Sequence, residues 1–122
     1  MMYLLFFIAI LATVTSANDT FILNSIEETK RLSKLTNKPA LIIFGADYCK
    51  FCNNLKEDIL NNELSPIIDN YIICYIDIKS SPELKTEYDI SMIPDSRMFI
   101  DNKEISRIKG YNIKNYKKWI QR

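Results

Sequence analysis

Five consecutive apolar residues, Ala40-Leu41-Ile42-Ile43-Phe44, lead through Gly45-Ala46-Asp47-Tyr48 into Cys49-Lys50-Phe51-Cys52, which opens a helix-like stretch reaching Leu60. An apolar run this short reads as a strand covered on both faces, as in the middle of a largely parallel sheet. The two thiols therefore stand at the mouth of a strand-to-helix turn. Cysteines two residues apart can close a small disulfide across a first helical turn, with the first sulfur facing the unsatisfied N–H groups and positive end of the helix. Its thiolate is favoured there, and the partner on the same face can displace a mixed disulfide. The plainer alternatives are a structural disulfide and half of a zinc site. Zinc would need two more ligands, and the chain supplies only Cys74 and no histidine.

The absence of histidine also removes Ser-His and Cys-His nucleophile activation and most zinc hydrolase schemes. A formal net charge of +1 gives no reason to invoke nucleic acid, and locally alternating lysines and acids read as a solvated surface. The aromatic content is enough to fill a core without a cofactor, so none is expected, and no metal site is expected either. Cys74 sits within an apolar strand and reads as a buried free thiol, with a regulatory role as the alternative.

Met1 to Ala17 carries no charged side chain, and its apolar run Tyr3 to Val14 closes on Thr15-Ser16-Ala17, small residues of the kind a signal peptidase reads. We read residues 1–17 as a signal peptide and residues 18–122 as one domain, exported to a periplasm or secreted. No lysine or arginine precedes the apolar run. An uncleaved membrane anchor is the alternative, but the run falls short of the roughly 20 apolar residues that span hydrocarbon. With no second domain to supply a dimerisation platform, a monomer is expected.

Along the domain, Ser25 to Thr36 carries Ile26, Leu32 and Leu35 amid charge, predicting a helix ended by Asn37-Lys38-Pro39. After the cysteine pair, Asn53 to Leu60 reads as helix, Asn61 to Asp69 as a turn and a helical segment broken near Pro66, and Tyr71 to Ile78 as a second buried strand. Ser80-Ser81-Pro82-Glu83 reads as a serine-capped helix start. Ile90 to Pro94 is a loop. Arg97 to Ile100 and Glu104 to Lys109 are expected to form a hairpin through Asp101-Asn102-Lys103, and Ile113, Tyr116, Trp119 and Ile120 mark a closing amphipathic helix. Tyr111, Tyr116 and Trp119 read as core and rim aromatics. Lys114, Lys117 and Lys118 suit a helix C-terminus and need no partner.

From Pro39 to Ile120 the chain resembles the thioredoxin superfamily, specifically its small thioredoxin-like domains. Four features coincide in order: the apolar strand leading into Cys49-Lys50-Phe51-Cys52; the acid-containing strand end Tyr75-Ile76-Asp77-Ile78 before Pro82; Tyr88-Asp89-Ile90-Ser91-Met92-Ile93-Pro94; and Gly110 ahead of the last helix. The resemblance implies an α/β thioredoxin fold, a central mixed β-sheet flanked by helices. It implies that Cys49 is the exposed nucleophile and Cys52 the resolving thiol. It also implies a cis Ile93-Pro94 bond packed beside the sulfurs, where the backbone of Ile93 can pair with a substrate strand. Tyr48, Lys50, Phe51, Ile93 and Pro94 are the expected substrate-binding residues.

The pattern is not followed everywhere. The buried aspartate of thioredoxins proper is matched by Ile43 and its companion lysine by Tyr75, so proton transfer at a buried Cys52 would fall to water or to a surface acid such as Asp47. Tyr48 stands where a tryptophan is usual. Lys50-Phe51 replaces Gly-Pro, and a lysine beside the thiolate lowers its pKa and makes the disulfide more oxidising. Asp95, Ser96 and Arg97 are unusually polar for an inner strand; they line a substrate groove or mark a solvent-facing hairpin.

The resemblance thus implies a thiol-disulfide oxidoreductase whose partners are client proteins with cysteines or disulfides and a membrane or dithiol electron-exchange partner. A reductase role is favoured. The alternatives are a disulfide oxidase or isomerase, and a catalytically weak peptide-binding module.

Overall fold

The computed structural model describes residues 20–121, so the segment read as a signal peptide lies outside the described residues. The elements are β1 (Ile22–Leu23), α1 (Ile26–Thr36), β2 (Ala40–Gly45), α2 (Lys50–Leu60), a 3-10 turn (Ile67–Asn70), β3 (Ile72–Asp77), α3 (Glu83–Glu87), β4 (Asp95–Ile100), β5 (Lys103–Lys109) and α4 (Ile113–Ile120). They form one five-stranded sheet in the order β1-β3-β2-β4-β5. β3 runs parallel to β1 and β2, whereas β4 is antiparallel to β2 and β5 to β4. This is the thioredoxin fold that the resemblance implied.

Alternation along β2 explains both layers. All its residues are buried. Leu41 and Ile43 face a core shared with Cys52, Leu55 and Ile59 of α2 and Tyr116, Trp119 and Ile120 of α4. Ala40, Ile42 and Phe44 face the other, with Cys74, Ile76 and Phe99, against which Ile26 of α1 and Leu84 beside Tyr88 pack. A strand with a helix layer on each face has no solvent side, hence its unbroken apolar sequence.

Several boundaries differ from expectation, each for a local reason. The two-residue β1 is too short to leave a pattern. α1 starts as predicted, with Ser25 Oγ accepting from Glu28 N at 3.2 Å, and ends on Asn37 in the left-handed region at φ 58°. Its fully sequestered face, however, is Thr29 and Ser33, while Leu35 is 68% exposed. Thr29 tolerates burial because its hydroxyl donates to Ser25 O at 2.7 Å, and Ser33 donates to Lys38 O. No serine side chain caps α3, whose N-cap is Pro82; the preceding turn is held instead by Asp77 Oδ1, which accepts from Lys79 N at 2.9 Å. The β4–β5 connector is only Asp101-Asn102, with φ 51° and 64°. Both residue types tolerate that region, so β4 and β5 pair through to Ile100 and Lys103.

The largest correction concerns Asp95, Ser96 and Arg97. They neither line a groove nor face solvent, being 0%, 0% and 5% exposed. Ser96 accepts a hydrogen bond from Tyr116 Oη at 2.8 Å, which ties α4 to the sheet, and Asp95 and Arg97 form an ion pair. Each polar group satisfies another, and that is what admits it to the interior.

Candidate active site

The last residue of β2, Gly45, is a glycine for a steric reason. A Cβ there would overlap the Tyr75 hydroxyl from the neighbouring strand. The chain then turns through Ala46-Asp47-Tyr48, closed by Cys49 N donating to Ala46 O at 3.2 Å. Cys49 is the N-cap of α2, with extended backbone (φ −95°, ψ 112°) and a sulfur that accepts from Cys52 N at 3.2 Å. A sulfur in that position receives one of the amides that a helix start leaves without a partner. Cys49 and Cys52 are joined in a disulfide across this first turn, their Cα atoms 5.2 Å apart.

The two sulfurs are not equivalent. Cys49 is half-buried, and Cys52 is 0% exposed among Leu55, Ile43 and Tyr116. An attacking group from solvent can therefore reach Cys49 and not Cys52. Across from them, the loop between α3 and β4 carries Ile93 and the buried Pro94, joined by a cis peptide bond. The carbonyl oxygen of Ile93 lies 3.8 Å from Cys49 Sγ.

Around this point the surface is apolar and open. Tyr48 is 70% exposed and Phe51 58%, on the two sides of Cys49 in sequence, and Met92 is 53% exposed on the facing loop. Met92 was not among the expected site residues; its place directly before Ile93-Pro94 was the available signal. Its Sδ lies 3.9 Å from where a Cβ on Gly110 would be, so the glycine leaves room beside it. Lys50 is exposed at the first position of α2.

Behind the disulfide the usual charged pair is replaced by Ile43, fully buried, and Tyr75. The Tyr75 hydroxyl has no hydrogen-bond partner, and Lys56 Nζ stands 4.8 Å from its ring centroid. Burial, reinforced by the charges of Asp77 and Asp47, pushes its pKa up to about 12, so it holds its proton at neutral pH. Asp47 is exposed and 3.9 Å from Lys79 Nζ. Cys74 lies in the core on the opposite face of the sheet from Cys52, its thiol pKa raised by burial, so it cannot complete a site with the pair. Among the described residues no cluster of metal-ligating side chains forms.

Two comparisons bear on this arrangement. The family model described as Thioredoxin matches residues 20–122. Among solved structures, a poplar thioredoxin h superposes with a TM-score of 0.71 at 18% identity, over 84% of this chain and 94% of its own. A thioredoxin from Nicotiana alata gives 0.68 at 20% identity, covering 87% and 95%. Fasciola hepatica thioredoxin gives 0.65 at 20%, covering 81% and 94%. At these identities the likeness concerns the fold. No curated protein matches the chain in sequence.

Proposed function

Because the chain belongs to the thioredoxin family, we propose that its Cys49–Cys52 pair, in the reduced dithiol form, serves chiefly as a reductant of disulfides in exported client proteins. The observation that carries exchange at this pair is its asymmetry, Cys49 open to attack at a helix N-terminus and Cys52 fully buried behind it; the reductase direction is taken from the family likeness. In the reduced protein the Cys49 thiolate attacks one sulfur of a client disulfide, forming a mixed disulfide and releasing the first client thiolate. Cys52, giving up its proton, then attacks Cys49 Sγ, closing the Cys49–Cys52 bond and releasing the second. The client gains two electrons, and a dithiol or membrane donor restores them to the protein.

Tyr48, Phe51 and Met92 supply an apolar rim against which an unfolded segment can lie, with the Ile93 backbone available to pair with it. With no buried carboxylate behind Cys52, its proton leaves by way of water or Asp47, and turnover is expected to be slower than that of a general thioredoxin. No cofactor is required, and the protein acts as a monomer. Residues 1–17 direct it to a periplasm or out of the cell by a cleaved signal peptide, or hold it at a membrane. Mass spectrometry of the expressed chain tests this, since cleavage would leave Asn18 first.

Lys50 favours a second reading, in which the pair acts as an oxidase: a cation beside the Cys49 thiolate stabilises the reduced form. Equilibration of the pair against glutathione separates the two. A potential near about −270 mV fits a reductase, and one near about −120 mV fits a disulfide donor. A peptide-binding module is distinguished by insulin reduction, since Cys49→Ser would abolish turnover in an enzyme and leave client affinity intact in a binder.

A further inference from the structure

We infer that Asp95, Arg97 and Arg107 form a clamp that positions the loop Tyr88 to Pro94 against the disulfide and so sets the affinity for polypeptide clients. This rests on the proposed exchange with protein disulfides. Asp95 is fully buried, and its carboxylate accepts from Arg97 Nε at 3.2 Å and Nη2 at 3.3 Å, and from Arg107 Nε at 3.1 Å and Nη2 at 2.5 Å. Arg97 and Arg107 are directly paired across β4 and β5, so both reach the same side of the sheet. Each arginine also reaches the start of the loop. Arg97 Nη2 donates to Tyr88 O, and Arg107 Nη2 donates to Asp89 O at 2.8 Å.

Asp95 directly follows Pro94, so the cluster grips the loop at both ends. The Arg97 guanidinium is further fixed 5.5 Å from the ring centroids of Phe44 and Tyr88, and its Nη1 reaches Glu104 at 3.3 Å. Asp89 stands at φ 51°, a left-handed conformation that aspartate tolerates. On the far side Gly110 N donates to Pro94 O at 2.7 Å and Lys109 Nζ to Ser91 Oγ at 3.2 Å. A hairpin strand does not require buried charge, which is costly to desolvate. What these charges accomplish is to fix Met92 and Ile93, and with them the wall that a client must lie against. Arg97 and Arg107 are thus positioning residues, acting through the loop.

The test uses the full chain with Arg107→Lys and Arg107→Met. Lysine keeps the charge beside Asp95 but has no planar fork to hold Asp95 and Asp89 O together. Steady-state reduction of insulin is compared with that of a small aromatic disulfide, together with amide hydrogen exchange across residues 89–93. The clamp predicts a rise in KM for insulin of about three- to tenfold in both variants, an unchanged KM for the small disulfide, and faster exchange at Asp89 and Ile90, whose amides donate to Thr86 O and Lys85 O. Full rescue by lysine would overturn it, as would a parallel loss on both substrates. If the wild type reduces neither substrate, the proposed exchange itself has failed, and the exchange data decide alone: faster exchange in both variants supports the clamp, and unchanged exchange overturns it.

Discussion

The wall that bears the sulfurs is anchored by apolar contact, with Cys52, Leu55 and Ile59 of α2 fully buried against Leu41 and Ile43. The wall facing it, the loop before β4, is tied at its ends by Asp95, Arg97 and Arg107. Apolar packing is non-directional and responds gradually to a change of shape. A buried ion cluster is directional and responds sharply to loss of one member, because the remaining charges are stranded. The arrangement gives each wall a fitting kind of anchor. The sulfur wall is an 11-residue helix with a whole face to bury. The loop has no regular structure, and although Ile90 is buried with Tyr88 and Ile93 packed beside it, its course depends also on the carbonyls of Tyr88 and Asp89 being held.

The largest effect should come from the chemistry that both walls serve. Cys49→Ser removes the one sulfur of the pair that is open to solvent, and insulin reduction should fall to background while far-ultraviolet circular dichroism stays that of the wild type. Residual turnover above a few per cent of wild type would mean that Cys52 can be attacked directly, contrary to its burial.

The comparison itself is sharpest under nearly isosteric substitutions. Asp95→Asn keeps the shape but leaves two guanidinium groups facing a neutral amide, and chemical denaturation should show a loss of about 3–5 kcal/mol. Leu55→Met on the opposite wall conserves volume and should cost less than about 1.5 kcal/mol. Equal losses would erase the distinction drawn between the walls. Replacing Asp95, Arg97 and Arg107 together with apolar residues of similar volume should restore much of the stability and not the grip on Asp89 O.

The contrast also explains what was legible in the sequence. Apolar elements announce themselves: the run Ala40 to Phe44, the cysteine pair opening α2, and the spacing of Tyr116, Trp119 and Ile120 were all readable, because burial against a helix layer demands those residue types. Ser25, Asn37 and Pro39 marked the ends of α1 through backbone chemistry alone. The polar interior was not readable. Asp95, Ser96 and Arg97 looked like surface because Arg107 and Tyr116, which complete their bonding, lie further along the chain, and the two-residue spacing of Asp95 and Arg97 suits an exposed strand face equally well. Leu35 misled in the opposite way, an apolar residue at helical spacing that the structure leaves in solvent. Met92 escaped because an exposed apolar residue before a proline has no periodicity to flag it.

The smallest effect is expected where the two anchoring principles meet, at Tyr75. It lies in the apolar core of the sulfur wall yet brings a hydroxyl without a hydrogen-bond partner, next to Gly45. The Ala46 backbone draws its pKa down slightly but does not complete a hydrogen bond. Tyr75→Phe removes that group without touching the ring packing or the Lys56 contact, and should stabilise the fold at pH 7 by up to about 1 kcal/mol. The gain should grow with alkalinity. An unfolded tyrosine ionises near about 10, whereas Tyr75 in the folded protein holds its proton to about 12. Between those values the unfolded state has released a proton that the native state keeps, so this residue makes wild-type stability fall as pH rises. Phenylalanine lacks that contribution. Urea denaturation of the two proteins from pH 8 to 11 should give a difference that is flat up to about pH 10 and then widens in favour of the variant. A difference that stays constant to pH 11 would mean that the hydroxyl ionises in the folded protein as it does in water, and that the sulfur wall is less dry than its apolar packing indicates.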